Sequence, residues 1–184
     1  LASDAALSPA VRQGATQTDL IASAYFAYVT QLLIRAGEIL GRDMQAYRDL
    51  HDRIRAAFRR TFMKDGLPVL YPKFDGLSDN RRVLGQTQTA IVLILHFGLY
   101  EGDAEKEKLV QTLSEMIRRN GGCMSTGFVG TPYLLHVLTE AGHATAAYDL
   151  FLQENYPSWL FSVNRGATTI WEHWDGIRED GSFW

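Results

Sequence analysis

One cysteine, Cys123, stands in 184 residues. That excludes an internal disulfide and any zinc site built on several cysteines, and it leaves the redox compartment open. Basic runs are missing as well. Arg81 with Arg82 and Arg118 with Arg119 are only pairs, and the net charge is -3. This balance argues against a nucleic-acid surface and against a polybasic membrane surface. Long hydrophobic runs are lacking: the most apolar stretch, residues 20–34, is broken by Ser23, Thr30 and Gln31 and closed by Arg35. A membrane-spanning helix needs about 20 largely apolar residues, so this stretch reads as a buried core helix. No basic segment leads into an apolar one at the start, so no signal peptide is visible. The chain begins Leu-Ala-Ser-Asp without a methionine, and both ends are expected to be cuts from a longer protein. A Gly-Lys-Ser/Thr phosphate loop and a G-x-S-x-G nucleophile elbow are both absent.

What is present is the composition of an ordinary globular domain, 46% hydrophobic and long enough for one domain with a substantial core. Thr18 or Asp19 is expected to cap a long helix over 20–40, ended by Gly41. It is apolar on most of its circumference and should be packed on two sides. Asp43 can cap a second helix, whose Met44, Tyr47, Leu50, Ile54, Phe58 and Phe62 step by three and four. The short link makes the two an antiparallel hairpin. Residues 64–85 read as a structured loop with a short strand at 69–71. A third helix over 87–99 is almost wholly apolar, and a fourth begins at a cap by Asp103. Thr131 as N-cap with Pro132 in first position starts a fifth helix, to 141, and residues 144–153 make a sixth. Residues 158–184 read as aromatic-rich and irregular, the pair Asp175 and Asp180 as ordinary turn chemistry, and the charges of 105–108 as a solvated helix face. The fold class is therefore all-α: three helical hairpins with long loops, the more apolar helix of each pair on the inside. Three hairpins make an arc, and an arc leaves an inner flank uncovered.

The stretch TTIWEHWD, residues 168–175, carries the leading chemistry. Glu172 lies between Trp171 and Trp174, whose flat faces suit the carbon face of a sugar ring, and glycoside hydrolysis uses carboxylates across the scissile bond. The alternative is that the two tryptophans anchor the core and Glu172 is a surface residue or cap. His173 and Asp175 could ligate a metal, but no second histidine stands near, and His51, His96, His136 and His143 are scattered. Cys123 has no flanking sequence of a nucleophile and reads as a small buried thiol. The loop STGFVGTP, residues 125–132, reads either as turn geometry with a helix cap or as a substrate-facing rim.

Four segments carry a resemblance: TDLIASAYFAYVTQLL at 18–33, GQTQTAIVLILHFGL at 85–99, STGFVGTPYLLHVLTEAGH at 125–143 and YPSWLFSVNRGATTIWEHWDGIREDGSFW at 156–184. Together they cover most of the chain, which resembles the C-terminal half of the catalytic domain of bacterial α-L-rhamnosidases, inverting glycosidases that remove terminal rhamnose. The resemblance implies a piece of a six-hairpin (α/α)6 toroid spanning residues 1–184, and a rhamnose-containing glycoside as partner. It implies Glu172 as the general base, with Trp171, Trp174, Thr126 and Phe128 as substrate-contacting residues. No cofactor and no metal are implied. The family's general acid belongs to an acidic, arginine-containing segment upstream of the first helix; residues 1–19 hold no such segment, so the isolated chain is expected to be inactive. Family motifs beyond GSFW are likewise outside it. Cys123 departs from the family, which often carries histidine there.

Two other functions compete with that expectation: a carbohydrate-binding or structural α/α module without catalysis, and an α/α-toroid glycosidase for another sugar, since fold does not set function. A half ring is also expected to self-associate through its uncovered flank.

Overall fold

In the computed structural model the described residues are 16–70, 85–177 and 180–183. The loop expected over 1–15 and most of the loop expected over 64–85 fall outside them. Among the described residues seven helices and one small hairpin follow in order: α1 Thr18–Ile39, α2 Gln45–Phe62, β1 Met63–Lys64, β2 Leu67–Pro68, α3 Gln88–His96, α4 Gly102–Arg119, α5 Thr131–Glu140, α6 Ala144–Phe151 and α7 Trp159–Asn164. α1 packs on α2, α3 on α4 and α5 on α6, while α3 also touches α1 and α5. This is the expected set of helical hairpins with the apolar helices as the inner layer.

Only α3 is covered on all sides. Every residue from Gln88 to Leu95 is buried, as a helix without a polar face requires. α1 departs from the expected two-sided burial. Leu20, Ala24, Ala27 and Ile34 form one buried stripe, whereas Phe26 and Val29 are 55% and 57% exposed. α5 likewise buries Leu134, Val137 and Leu138 and leaves Pro132 and His136 outside. The middle inner helix of an arc has a neighbour on each flank, and the outer two have one.

Helix ends follow local chemistry. The Thr87 hydroxyl accepts the amide of Ala90 at 3.0 Å, capping α3. Met44, not Asp43, occupies the cap position of α2, which has no side-chain cap; Asp43, one residue earlier, only accepts the amide of Gln45 at 2.9 Å. Gln17, not Thr18 or Asp19, precedes α1, with no side-chain cap; Glu101 precedes α4, also without one. The strand expected at 69–71 lies earlier, at Leu67–Pro68, paired antiparallel with Met63–Lys64. Its turn is Asp65-Gly66, both with positive φ (51° and 75°), the backbone of a tight two-residue hairpin. The expected solvated face at 105–108 is corrected too. Arg59 of α2 donates to both carboxylate oxygens of Glu105, at 3.1 and 3.0 Å, and Lys108 donates to the carbonyl of Asp65 at 2.6 Å. These charges join one hairpin to the next. Finally, the segment read as irregular contains α7. Buried Ser158 accepts the amide of Phe161 at 3.1 Å, a helix cap that the sequence reading passed over.

Candidate functional site

The loop between α4 and α5 is held from three directions. From α3, buried Gln88 accepts the amide of Ser125 at 2.7 Å and donates to the carbonyl of Cys123 at 3.4 Å. From α1, the Tyr25 hydroxyl donates to the carbonyl of Val129 at 3.1 Å. Burial, with a hydrogen bond to Tyr133, pushes this phenol well above its ordinary pKa, so it stays a donor. Within the loop, Thr131 was expected as the N-cap of α5. It is instead the first helical residue, and its hydroxyl turns back to the carbonyl of Gly127 at 2.9 Å. Gly130 takes the cap position because a Cβ there would lie 3.0 Å from Thr89 Oγ1.

The C-terminal segment is moored to that loop. Trp174 is buried, and its indole Nε1 donates to the carbonyl of Thr126 at 3.1 Å. Its ring meets Trp159 of α7 edge-on, with centroids 5.8 Å apart and planes at 81°. Trp171 lies over the turn that follows: a Cβ on Gly176 would fall 3.0 Å from its ring. The backbone turns sharply at this point, with the Gly176 amide bonded to the His173 carbonyl at 3.0 Å.

Between loop and segment opens a cavity of about 350 Å³. Trp159, Trp171 and Trp174 form one wall and Phe128 stands on the rim. Pro132, Leu135 and His136 of α5 also line the cavity, and Glu172 contributes the carboxylate. Glu172 is exposed to solvent and Trp171 half-buried. A single carboxylate beside indole faces is an arrangement that can bind a neutral ring and accept a proton from water. Thr126 is not on this surface. It is fully buried, with its hydroxyl 2.8 Å from that of Thr131, so it works behind the wall, through its carbonyl. Cys123 is buried under the loop and lines neither this cavity nor its neighbour. Among the described residues no group of three or more His, Cys, Asp and Glu is placed to hold a metal.

A family model described as the bacterial alpha-L-rhamnosidase six-hairpin glycosidase domain matches residues 6–183. The chain belongs to that family. It is similar to an α-L-rhamnosidase of Streptomyces avermitilis, 40% identical over 91% of this chain and 15% of the relative. An α-L-rhamnosidase of Formosa agariphila is 35% identical over 93% of this chain and 17% of its own length. Among solved structures, the Streptomyces avermitilis α-L-rhamnosidase complexed with L-rhamnose superposes with a TM-score of 0.76 over 90% of this chain and 15% of that one. The native rhamnosidase of Aspergillus terreus, 27% identical, reaches 0.81 over 92% of this chain and 18% of its own. This chain of the rhamnosidase family therefore spans about a sixth of the length of the relatives it matches.

Reading the sequence of this family member missed several cavity residues. His136 is one of four histidines that look scattered in the sequence, yet it shares a face with Pro132 and Leu135, which stand four and one residues before it on α5. Trp159 was readable from Ser158 as a cap, since the cap places the first turn of a helix beside the tryptophan pair. Ile170 and Phe151 carried no signal; only the tertiary packing brings them to the cavity.

Proposed function

We propose that this chain is the C-terminal part of an inverting glycoside hydrolase domain that releases terminal α-L-rhamnose. The observation that carries the reading is the placement of Glu172 and Trp171 together on one open cavity, in a chain of the rhamnosidase six-hairpin family. Rhamnose would enter with its apolar face and methyl group against the indoles. Glu172 would take a proton from a water behind the anomeric carbon. As the C–O bond to the leaving group breaks, that oxygen receives a proton from an acid supplied by sequence outside this chain. Inversion needs about 6.5–9.5 Å between the two carboxyls, which leaves room for the water. Phe128 would close the rim over the sugar, and the hydrogen bond from Trp174 to Thr126 would keep the wall in register.

The test is Glu172→Gln in the full-length polypeptide, assayed on an aryl α-L-rhamnoside. A general base is worth about 10²–10⁴ in rate, so kcat should fall by at least about a hundredfold while the far-ultraviolet circular dichroism is kept. Turnover within a few fold of wild type would remove Glu172 from the role.

A further inference from the structure

α3 is apolar from Ala90 to Leu95, yet it opens on Gln88, which is fully buried. Burying an amide is costly unless its polar ends are bonded, so its partners show what it holds. Neither lies in α3. The side-chain oxygen accepts the Ser125 amide at 2.7 Å, and the nitrogen donates to the Cys123 carbonyl at 3.4 Å. A backbone N–H only donates and a carbonyl only accepts, so these partners fix which way the amide faces. The bond to Cys123 is long and shared, because Asn120 Nδ2 donates to the same carbonyl at 3.1 Å. The bond to Ser125 is the short one. Thr87, next in the chain, caps α3, and its hydroxyl lies 2.6 Å from that of Thr16. Gln88 therefore reaches out from a helix start that is itself pinned.

From Ser125 the connection passes along the backbone to Thr126. The Thr126 carbonyl receives Trp174 Nε1 at 3.1 Å, and Trp174 lines the same cavity as Glu172, two residues before it in the chain. Two hydrogen bonds thus span from the buried middle helix to the segment that carries the carboxylate.

We propose that Gln88 is a positioning residue for hydrolysis: through the backbone of 125–126 and through Trp174 it sets where Glu172 meets its water. The inference rests on the glycosidase reading above, which makes Glu172 the base. A general base acts only within hydrogen-bond reach, about 2.6–3.2 Å, so a sub-ångström shift slows proton transfer. An indole face tolerates the same shift, because its contact with a sugar ring is spread over many weak atom pairs. Loss of Gln88 should therefore change kcat far more than KM.

The test uses the full-length polypeptide on an aryl α-L-rhamnoside. Gln88→Leu removes both bonds at similar volume. Its kcat should fall about tenfold or more, as a small misplacement predicts, with KM within about threefold. Hydrogen exchange read by mass spectrometry should quicken at 168–176 as well as in the loop at 123–129. Ile91→Val, at a fully buried apolar neighbour on α3, controls for lost stability and should keep kcat within about twofold. Gln88→Glu keeps the acceptor for Ser125 but sets a carboxylate against the Cys123 carbonyl. Burial raises the pKa of such a carboxyl, and its protonated form donates again. Its kcat relative to wild type should therefore recover as pH falls from about 7.5 to 5. Gln88→Leu combined with Trp174→Phe should cost little beyond the larger single effect, because both break one connection.

A Gln88→Leu enzyme near wild-type kcat, in a protein that Glu172→Gln silences, overturns the positioning role and leaves the glycosidase reading standing. Exchange that quickens only in the loop also overturns it, as does a Gln88→Glu ratio that stays flat with pH. The Gln88→Glu ratio decides alone should Gln88→Leu fail to fold. If Glu172→Gln itself stays active, the base assignment falls instead, and exchange at 168–176 still decides whether Gln88 holds that segment.

Discussion

The indole N–H of Trp174 and the carbonyl of Thr126 meet at 3.1 Å although 48 residues separate them. This bond ties the α4–α5 loop to the segment that carries Glu172. In Trp174→Phe the buried carbonyl keeps only the longer contact from the Thr131 hydroxyl, at 3.3 Å, and loss of the indole donor costs about 1 kcal/mol. For a domain of this size Tm should drop by roughly 2–4 °C per kcal/mol. Differential scanning calorimetry measures it, and an unchanged Tm would show that the bond contributes nothing to the fold.

Gly176 tests position without touching chemistry. Its missing Cβ leaves room for the Trp171 ring, which a methyl would meet at 3.0 Å. Gly176→Ala should displace the indole by a few tenths of an ångström or more. A misplacement of the order of 1 Å can cost about a hundredfold, so kcat/KM is expected to fall about tenfold with little change in Tm. The paired measurement is turnover and thermal melting on the same preparation of the full-length polypeptide; full activity would mean that Trp171 does not set the geometry.

Two histidines should make stability fall in mild acid. Burial, with Arg55 close by, holds the His51 imidazole below its ordinary pKa. Burial, assisted by His136, does the same to His96. Both remain neutral in the fold at pH values where the unfolded chain, titrating near 6.5, already takes up protons. Their contribution is complete above about pH 6.5 and is lost as pH falls through the lowered folded values. Urea midpoints between about pH 7.5 and 5 should decline in the wild type and decline less in the double variant His51→Gln, His96→Gln. Equal slopes would refute the assignment.

The uncovered face of α1 predicts association. Phe26 and Val29 are more than half exposed, and Leu33 is 46% exposed on the same side. Surfaces of this kind seldom stay bare in water, and a second copy offers the same stripe. The isolated chain should show concentration-dependent mass in light scattering, and Phe26→Glu with Val29→Glu should return it to a monomer. A wild-type chain that is monodisperse at high concentration would contradict this.

The hairpins were legible because their determinants are local. Ile54, Phe58 and Phe62 repeat at helical spacing, and residues 88–95 have no polar face to show water. The family resemblance rested on long unbroken motifs and holds over residues 6–183. What failed was either short or nonlocal. The hairpin strand was set two residues late because positive φ at Asp65-Gly66, not apolar alternation, decides where the chain reverses. Glu105 looked solvated because its partner Arg59 lies 46 residues away. Thr126 was read as a rim residue from its place beside Phe128. A loop has no fixed side-chain period, so sequence proximity to Phe128 does not set where Thr126 points, and its hydroxyl bonds inward to that of Thr131.

The Tyr25 phenol, resting on the backbone at Val129, gives the architecture a practical boundary. A cut between the first and second hairpins would trim a helix far from the carboxylate in sequence, yet it would release one mooring of the loop that faces it. Schemes that shuffle hairpins among such toroids must therefore carry α1 along with the loop, as a matched pair.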